Sequence, residues 1–397
     1  MKVLVVHNFY QQAGGEDSVF RAEVALLEGY GHDVRTFTVS NDMIAQTPRL
    51  QAAAQTLHNR QMAREITRQV RGHGSQIVHF HNTFPILSPA VYAGARAGGA
   101  AVVQTLHNYR LMCANGLFFR DGHVCEDCLG QLPLPAVRHR CYRDSAAASA
   151  VVAAMQVTHR AAGTYRNGVD AYIALTEFAR DKFIAGGLPA GRIAVKPNFL
   201  AGGPGPGTGE GGYALYVGRL SPEKGVDTLL RAWAHLGDTL PLKIVGDGPL
   251  APQVTQAAAT LPGVTWLGQQ DRAGVLELMQ NAAFLVLPSE WYEGFPMTLI
   301  EAWGVGLPVL GSHLGALGAL IEPGQTGMLF RAGNADDLAA QVRWLRGHPE
   351  ERKQMGTGAF QLSQTLYSPE RNHEQLMEIY AAALKRFGAA RGSPAPV

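Results

Sequence analysis

Two carboxylates, Glu293 and Glu301, stand eight positions apart in "EGFPMTLIEAWGVGLPV", a stretch that is otherwise almost wholly apolar. Pro296 suits the first turn of a helix and Gly294 breaks what precedes it, so Glu293 belongs to a loop and Glu301 to the helix. They are not neighbours on one helical face. A helix start offers free N–H groups to an anion, and a negatively charged group held between the two glutamates is one reading. An acid/base pair acting across a glycoside is a second. Two charges complementing helix ends is a third, which explains Glu293 better than Glu301. A second constellation bears on the choice. In "VGRLSPEKG", Arg219 and Lys224 bracket the turn from a strand into a helix. Two cations beside helix N–H groups suit a diphosphate, and the arginine can grip oxygens bidentately. An isolated pair of this kind is ordinarily a solvated turn, but the strand-turn-helix setting and the later glutamates favour the phosphate. A neutral glycoside would need no such cations, which argues against hydrolysis.

The first half of the chain carries its polar residues at strand ends. His7 and Gly14-Gly15 lie in "VVHNFYQQAGGEDS", His79 and His81 in "IVHFHN", and His107 in "VVQTLHNYR". The glycine pair lacks the GxGxxG spacing of a dinucleotide fingerprint. It permits close backbone approach to a ligand, or simply a tight turn. A lone histidine such as His107 is as often structural as chemical. All four cysteines, Cys113, Cys125, Cys128 and Cys141, fall in one insert as C-x11-C-x2-C-x12-C. In a reducing compartment that spacing favours a tetrahedral structural zinc over disulfides. Unligated buried thiols, a disulfide or an iron–sulfur cluster remain open on the residues alone.

These residues need elements to place them. Short β-rich runs ("KVLVV", "DVRTFTV", "QIVHF", "AAVVQTL", "AYIALT") alternate with helix-like segments, then restart after residue 212 with "YALYVG", "LKIVG", "VTWLG", "AFLVLPS" and "LPVLGS". That rhythm implies βα units and parallel sheets covered on both faces. Ligands bind beyond the C-terminal ends of such strands, where the histidines, Arg219, Lys224, Gly246-Asp247-Gly248 and Glu293 fall. The expected organisation is a first domain over 1–200 with a Cys-containing insert at about 109–145. A flexible Gly/Pro linker, "AGGPGPGTGEGG", follows at 201–212,. A second domain covers 213–365, and "GAARGSPAPV" at 388–397 is expected to be a disordered tail,. With 397 residues, 46% hydrophobic and 17% charged, the chain is long enough for two cores,. A net charge of +2 gives no reason to expect a nucleic-acid partner,. "MKVLVV" reads as a strand rather than a leader, and a cytoplasmic protein is expected. Arg49, Arg60, Arg64, Arg68 and Arg71 form either a solvated helix face or a patch for the anionic inner face of a membrane.

"EGFPMTLIE", together with "VGRLSPEKG", "KPNFL", "VGDGPL", "VLPSEWYEGFP" and "GLPVLGS" in that order, resembles the retaining glycosyltransferases of family 4 and their E-x7-E signature. The resemblance spans nearly the whole chain and implies the GT-B architecture. That is an α/β fold of two Rossmann-like domains facing across a cleft, with a C-terminal helix, here 366–387, returning to the first domain. It also implies a nucleotide-diphosphate sugar donor (uridine ahead of guanosine), a glycan or lipid-linked acceptor, and transfer without a required metal or other cofactor. Carried over by residue, Arg219 and Lys224 match the cations on the diphosphate, and Gly15 the glycine whose backbone approaches it. Glu301 matches the carboxylate on the ribose. Glu293, with Gly294, Phe295, Pro296, Met297 and Thr298, matches the loop on the sugar hydroxyls and phosphate. His107 matches a residue at the reacting centre. The insert lies outside the family motifs. A phosphorylase or epimerase sharing the architecture, or an inactive scaffold, are the other readings.

Overall fold

The computed structural model describes residues 1–11 and 14–392. The chain divides into two compact units: Met1–Phe118 with Glu126–Pro197 and Asn372–Val397, and Phe119–Cys125 with Asn198–Arg371. The first contains a six-stranded sheet built from β1 (Lys2–Phe9), β2 (Asp33–Ser40), β3 (Ile77–Phe80), β4 (Ala101–Leu106), β7 (Ala171–Ala174) and β8 (Ile193–Val195). The short ribbon β5 (Phe119–Arg120) and β6 (His123–Val124) interrupts this series. The second unit holds another six strands: β9 (Ala214–Val217), β10 (Leu242–Val245), β11 (Val264–Trp266), β12 (Phe284–Leu287), β13 (Val309–Ser312) and β14 (Gly327–Phe330).

Both large sheets are parallel, ordered β2-β1-β3-β4-β7-β8 and β11-β10-β9-β12-β13-β14. The runs are apolar because helices cover both faces, so β3, β4 and β12 are buried along their whole lengths,. The strand order reverses between β1 and β3 in the first sheet and between β9 and β12 in the second. Those two positions are topological switch points, where strand ends splay and leave a crevice for a ligand.

Each unit has its own core. In the second, Leu229, Trp233 and Leu236 from the helix Val226–Leu236 pack on Ile244, Phe284 and Leu310. In the first, Val3, Val5, Ile77, Val103 and Ile173 meet Leu376, Ile379, Tyr380, Ala383 and Phe387 of the last helix, Pro369–Gly392. The last helix therefore completes the sheet formed at the start of the chain. It runs through residues 388–392, where a disordered tail was expected; the rest of that tail lies outside the described residues.

Two expectations about the middle of the chain are corrected. Glycine-rich residues 201–212 are not a free linker but are laid on the second unit. Gly207, Gly209 and Gly211 donate backbone N–H groups to Val305, Gln280 and Asn281 at 2.9, 3.0 and 2.7 Å. A Cβ on Gly207 would fall 2.1 Å from Gln280 O, and one on Gly211 2.5 Å from Asn281 O. The glycines answer to close backbone approach as well as to turning. The insert is also not wholly part of the first domain, because Phe119–Cys125 group with the second unit. A two-stranded ribbon has no core of its own and takes its support from elsewhere.

Candidate functional site

In the second unit the sequence-derived residues gather at the β9/β12 switch point. Arg219 follows β9 and is exposed. Lys224 ends the tight turn Pro222–Lys224, and Gly225 then adopts φ +70. A Cβ on Gly225 would stand 1.8 Å from Pro288 O, so only glycine lets this turn rest against the loop leaving β12. Three further ties hold turn and loop together. Lys224 Nζ lies 2.7 Å from Glu293 Oε1, Glu290 N donates to Glu223 O at 2.9 Å, and Thr228 Oγ1 donates to Glu290 Oε1 at 2.6 Å. Ser289 Oγ also donates to Glu293 Oε1, at 2.6 Å. Glu293 is thus buried but paired, and Lys224 keeps a partly exposed side chain.

The helix expected after Glu293 runs Met297–Gly304, with Pro296 as its N-cap, one position earlier than a first-turn proline. Phe295 and Pro296 are buried while Gly294, Met297 and Thr298 are half-buried. Glu301 lies on this helix, with Arg272 Nε 3.7 Å from its Oε1. Burial pushes its carboxyl above the ordinary value, and Arg272 opposes that rise. On the other side of β9, Gly246 and Gly248 sit at φ +131 and +158, where a Cβ would meet Gly218 O at 1.9 Å and Leu220 O at 2.5 Å. "VGDG" is thereby fitted against "VGRL", fixing the backbone around Arg219.

The first unit places Gly15 at the start of the helix Gly15–Gly29, after β1. Asp17 caps it by accepting from Gly14 N at 3.0 Å and lies 2.7 Å from His7 Nε2. His79, His81 and His107, from β3 and the ends of β3 and β4, converge on a polar interior that the sequence did not reveal. Its centre is Glu23. Oε2 accepts from Lys196 Nζ at 2.9 Å, and Oε1 lies 2.9 Å from His79 Nδ1 and 3.3 Å from His81 Nε2. Burial alone would raise this carboxyl, but Lys196 and His79 hold it well below the ordinary value. Asn372 Oδ1 accepts from Lys196 at 3.0 Å, and Tyr380 OH lies 2.8 Å from His79 Nδ1. Glu23 in "AEVALL" and Lys196 in "IAVKPNFL", each a charge in an apolar run, were the available signal.

Glu16 was also missed. It accepts from Asn82 and Asn108 at 3.1 and 3.3 Å. Burial, with the Asp17 charge second, pushes its carboxyl up to about 8. His107 is half-buried and borders a small open recess, which His81, Asn82, Asn108 and Arg110 also line. Burial, and then His81, hold the His107 imidazole well below its ordinary pKa.

Cys113 donates to Asn115 Oδ1 at 2.9 Å, while Cys128 and Cys141 pack with Phe84, Val152 and Met155. Among the described residues, the groups with three potential ligand atoms within 4.8 Å of one another are Glu23–His79–His81 and His7–Glu16–Asp17, neither containing a cysteine. The first already holds the Lys196 ammonium.

Two parallel doubly wound sheets, with the last helix packed on the first of them, define a protein of the GT-B class. Its solved relatives by fold include Anabaena HepE in complex with UDP, with TM-score 0.67 at 16% identity over 96% of this chain and 100% of that one. Sucrose-phosphate synthase of Thermosynechococcus elongatus gives TM-score 0.68 at 17% identity, covering 98% and 100% of the two chains. Residues 13–200 match the family described as Glycosyltransferase Family 4, and residues 208–362 the one described as Glycosyl transferases group 1. With most of its length matched by this pair, the chain belongs to the family 4 glycosyltransferases of GT-B fold. It is similar to the D-inositol 3-phosphate glycosyltransferase of Nocardia farcinica, 33% identical over 189 residues, 44% of this chain and 42% of that protein. It is also similar to the alpha-D-kanosaminyltransferase of Streptomyces kanamyceticus, 30% identical over 172 residues, 42% of this chain and 44% of that protein. The chain thus aligns with less than half the length of these relatives.

Proposed function

We propose that the protein is a retaining glycosyltransferase that moves a sugar from a nucleotide-diphosphate donor to a glycan or lipid-linked acceptor. The observation that carries this is the clamp at the β9/β12 switch point, where Lys224 is held on Glu293 beside an exposed Arg219 and ahead of a helix N-terminus. Cations preorganised where charge develops on the leaving diphosphate stabilise the transition state without reorganising. In this reading Gly15 and Gly294–Thr298 offer backbone to the donor, Glu301 receives the ribose hydroxyls, and Glu293 and His107 attend the sugar. Transfer needs no bound metal, because Arg219 and Lys224 supply the positive charge. UDP is the first nucleotide to try, since HepE was solved with UDP and with UDP-glucose.

Thermal-shift measurements against UDP-, GDP- and ADP-sugars test the donor. A ligand at about 100 times its Kd adds about 2.7 kcal/mol of stability. No shift with any of them would overturn the proposal. Product anomeric configuration, read by NMR, tests retention.

Two narrower readings belong with this one. Exposed Met43 and Leu50 beside Arg49 support a peripheral contact with an anionic membrane face,. Co-sedimentation with phosphatidylserine vesicles, lost in Leu50→Glu, tests it. Among the described residues no helix is long and apolar enough to cross a membrane. A structural zinc on the four cysteines rests on their spacing alone, and metal analysis of the purified chain tests it: about one zinc per chain is expected.

A further inference from the structure

His107 has a second imidazole behind it and a carboxylate behind that. Its Nε2 lies 3.0 Å from His81 Nδ1, with the rings stacked at a centroid distance of 5.2 Å. His81 is buried, and its Nε2 has no hydrogen-bond partner beyond the approach to Glu23 Oε1 at 3.3 Å. Lys196 on Oε2 keeps that carboxylate charged. We propose that Glu23 and His81 are positioning residues that fix the tautomer of His107, so that His107 presents a bare Nδ1 to a substrate hydroxyl as a hydrogen-bond acceptor.

A carboxylate offers only lone pairs, so the His81 nitrogen facing it must carry the proton. The opposite tautomer would set two buried lone pairs against each other and leave His81 Nε2 without a donor. With Nε2 protonated, neutral His81 has Nδ1 as an acceptor, and that atom faces His107 Nε2. His107 must then donate from Nε2, which leaves its Nδ1 unprotonated. Both rings stay neutral near pH 7: burial lowers His81 to about 4, against the pull of Glu23, and lowers His107 as well. A charged His107 could not accept from a hydroxyl; a neutral ring of the other tautomer would donate from Nδ1 instead. The relay therefore selects one chemistry at the edge of the recess that His81 and His107 line. The role toward substrate rests on the glycosyl-transfer reading above, whereas the tautomer does not.

The test is 15N NMR of the full chain labelled in histidine, with the His107 signal identified by its loss in His107→Gln. The parent protein should show His107 as the Nε2–H tautomer; an Nδ1–H ring would overturn the relay without any variant. His81→Leu removes the acceptor and should release His107 to a tautomer mixture. His81→Asn sets an amide oxygen near the position of Nδ1 and should restore the Nε2–H form. UDP release from UDP-glucose supplies a second readout: kcat should fall at least about tenfold in His81→Leu with donor KM little changed, and recover in His81→Asn. Equal losses in kcat for the two variants would show that His81 only fills space, and would overturn the proposal. The expected tautomers without turnover of UDP-, GDP- or ADP-sugars would uphold the relay and defeat the glycosyl-transfer reading instead.

Discussion

Glu293 and Glu301 differ in what already holds them. Glu293 is committed to Lys224 and Ser289 at 2.7 and 2.6 Å, while Glu301 has the more distant Arg272 at 3.7 Å. A ribose contact is equal in ground and transition states, so Glu301→Ala should raise donor KM by roughly ten- to a hundredfold, the worth of a charged hydrogen bond. Glu293→Ala frees Lys224 and disturbs the reacting sugar, and should chiefly lower kcat. Steady-state kinetics separate the two, and the reverse pattern would sink these roles. Glu16 carries a pH signature. Its folded carboxyl keeps its proton up to about pH 8, against an ordinary value of 4.5. Its contribution is therefore full at low pH and is lost as pH rises toward the folded value. Glu16→Gln cannot ionise, so it should gain stability over the parent from about pH 5 to about pH 8, and the gap should stop widening above that,. Melting temperatures of both proteins across that range give the answer. A constant difference would show that Glu16 does not titrate there. Sequence reading could pick out Glu293, Glu301, Arg219 and Lys224 because turn residues and apolar neighbours made their types anomalous. It passed over Glu16 because an acidic residue in the first turn of a helix looks ordinary, and over Glu23 because one charge on an amphipathic helix reads as a solvated face until its surroundings are known.

Among elements, the turn Pro222–Lys224 and the loop leaving β12 act as one piece. Gly225→Ala would put a Cβ against Pro288 O at a positive φ. A cost of about 1–3 kcal/mol is expected from such strain, and pulling Lys224 off Glu293 should weaken nucleotide binding too. Denaturant titration and calorimetric titration with UDP read the two effects, and unchanged values in both would refute the fit. The strand β8 and the last helix meet at Lys196, which is buried with Glu23 and Asn372. Lys196→Met strands the Glu23 charge and should cost about 3–5 kcal/mol. The double variant with Glu23→Gln should recover much of that loss, and additive losses would show that the pair is not coupled. Strands and their order of appearance were legible from apolar periodicity. The anchoring of residues 201–212 was not, since glycine reads alike whether it frees a backbone or lets two backbones touch.

Over the whole molecule, the two-unit plan could be inferred from the restart of the βα rhythm and from the resemblance of the motifs. The seam of the insert could not, because the ribbon Phe119–Cys125 groups with the second unit, whereas the return of the final helix to the first was part of what the resemblance implied. A chain ending at Arg371 would lose Leu376, Ile379, Tyr380 and Phe387 from the first core while leaving the second core whole. Calorimetry of that truncated chain should show the first unit's melting transition lost and the second unit's retained; two intact transitions would contradict this. The same arrangement bears on synthesis. The opening strands leave the ribosome well before their covering helix, with the entire second unit translated in between. At about 5–20 residues per second that interval is on the order of ten seconds or more. Through it the nascent sheet carries an open apolar face and a Lys196 that has Glu23 but not yet Asn372, so exposure to aggregation during synthesis is a consequence of where the covering helix sits in the chain,.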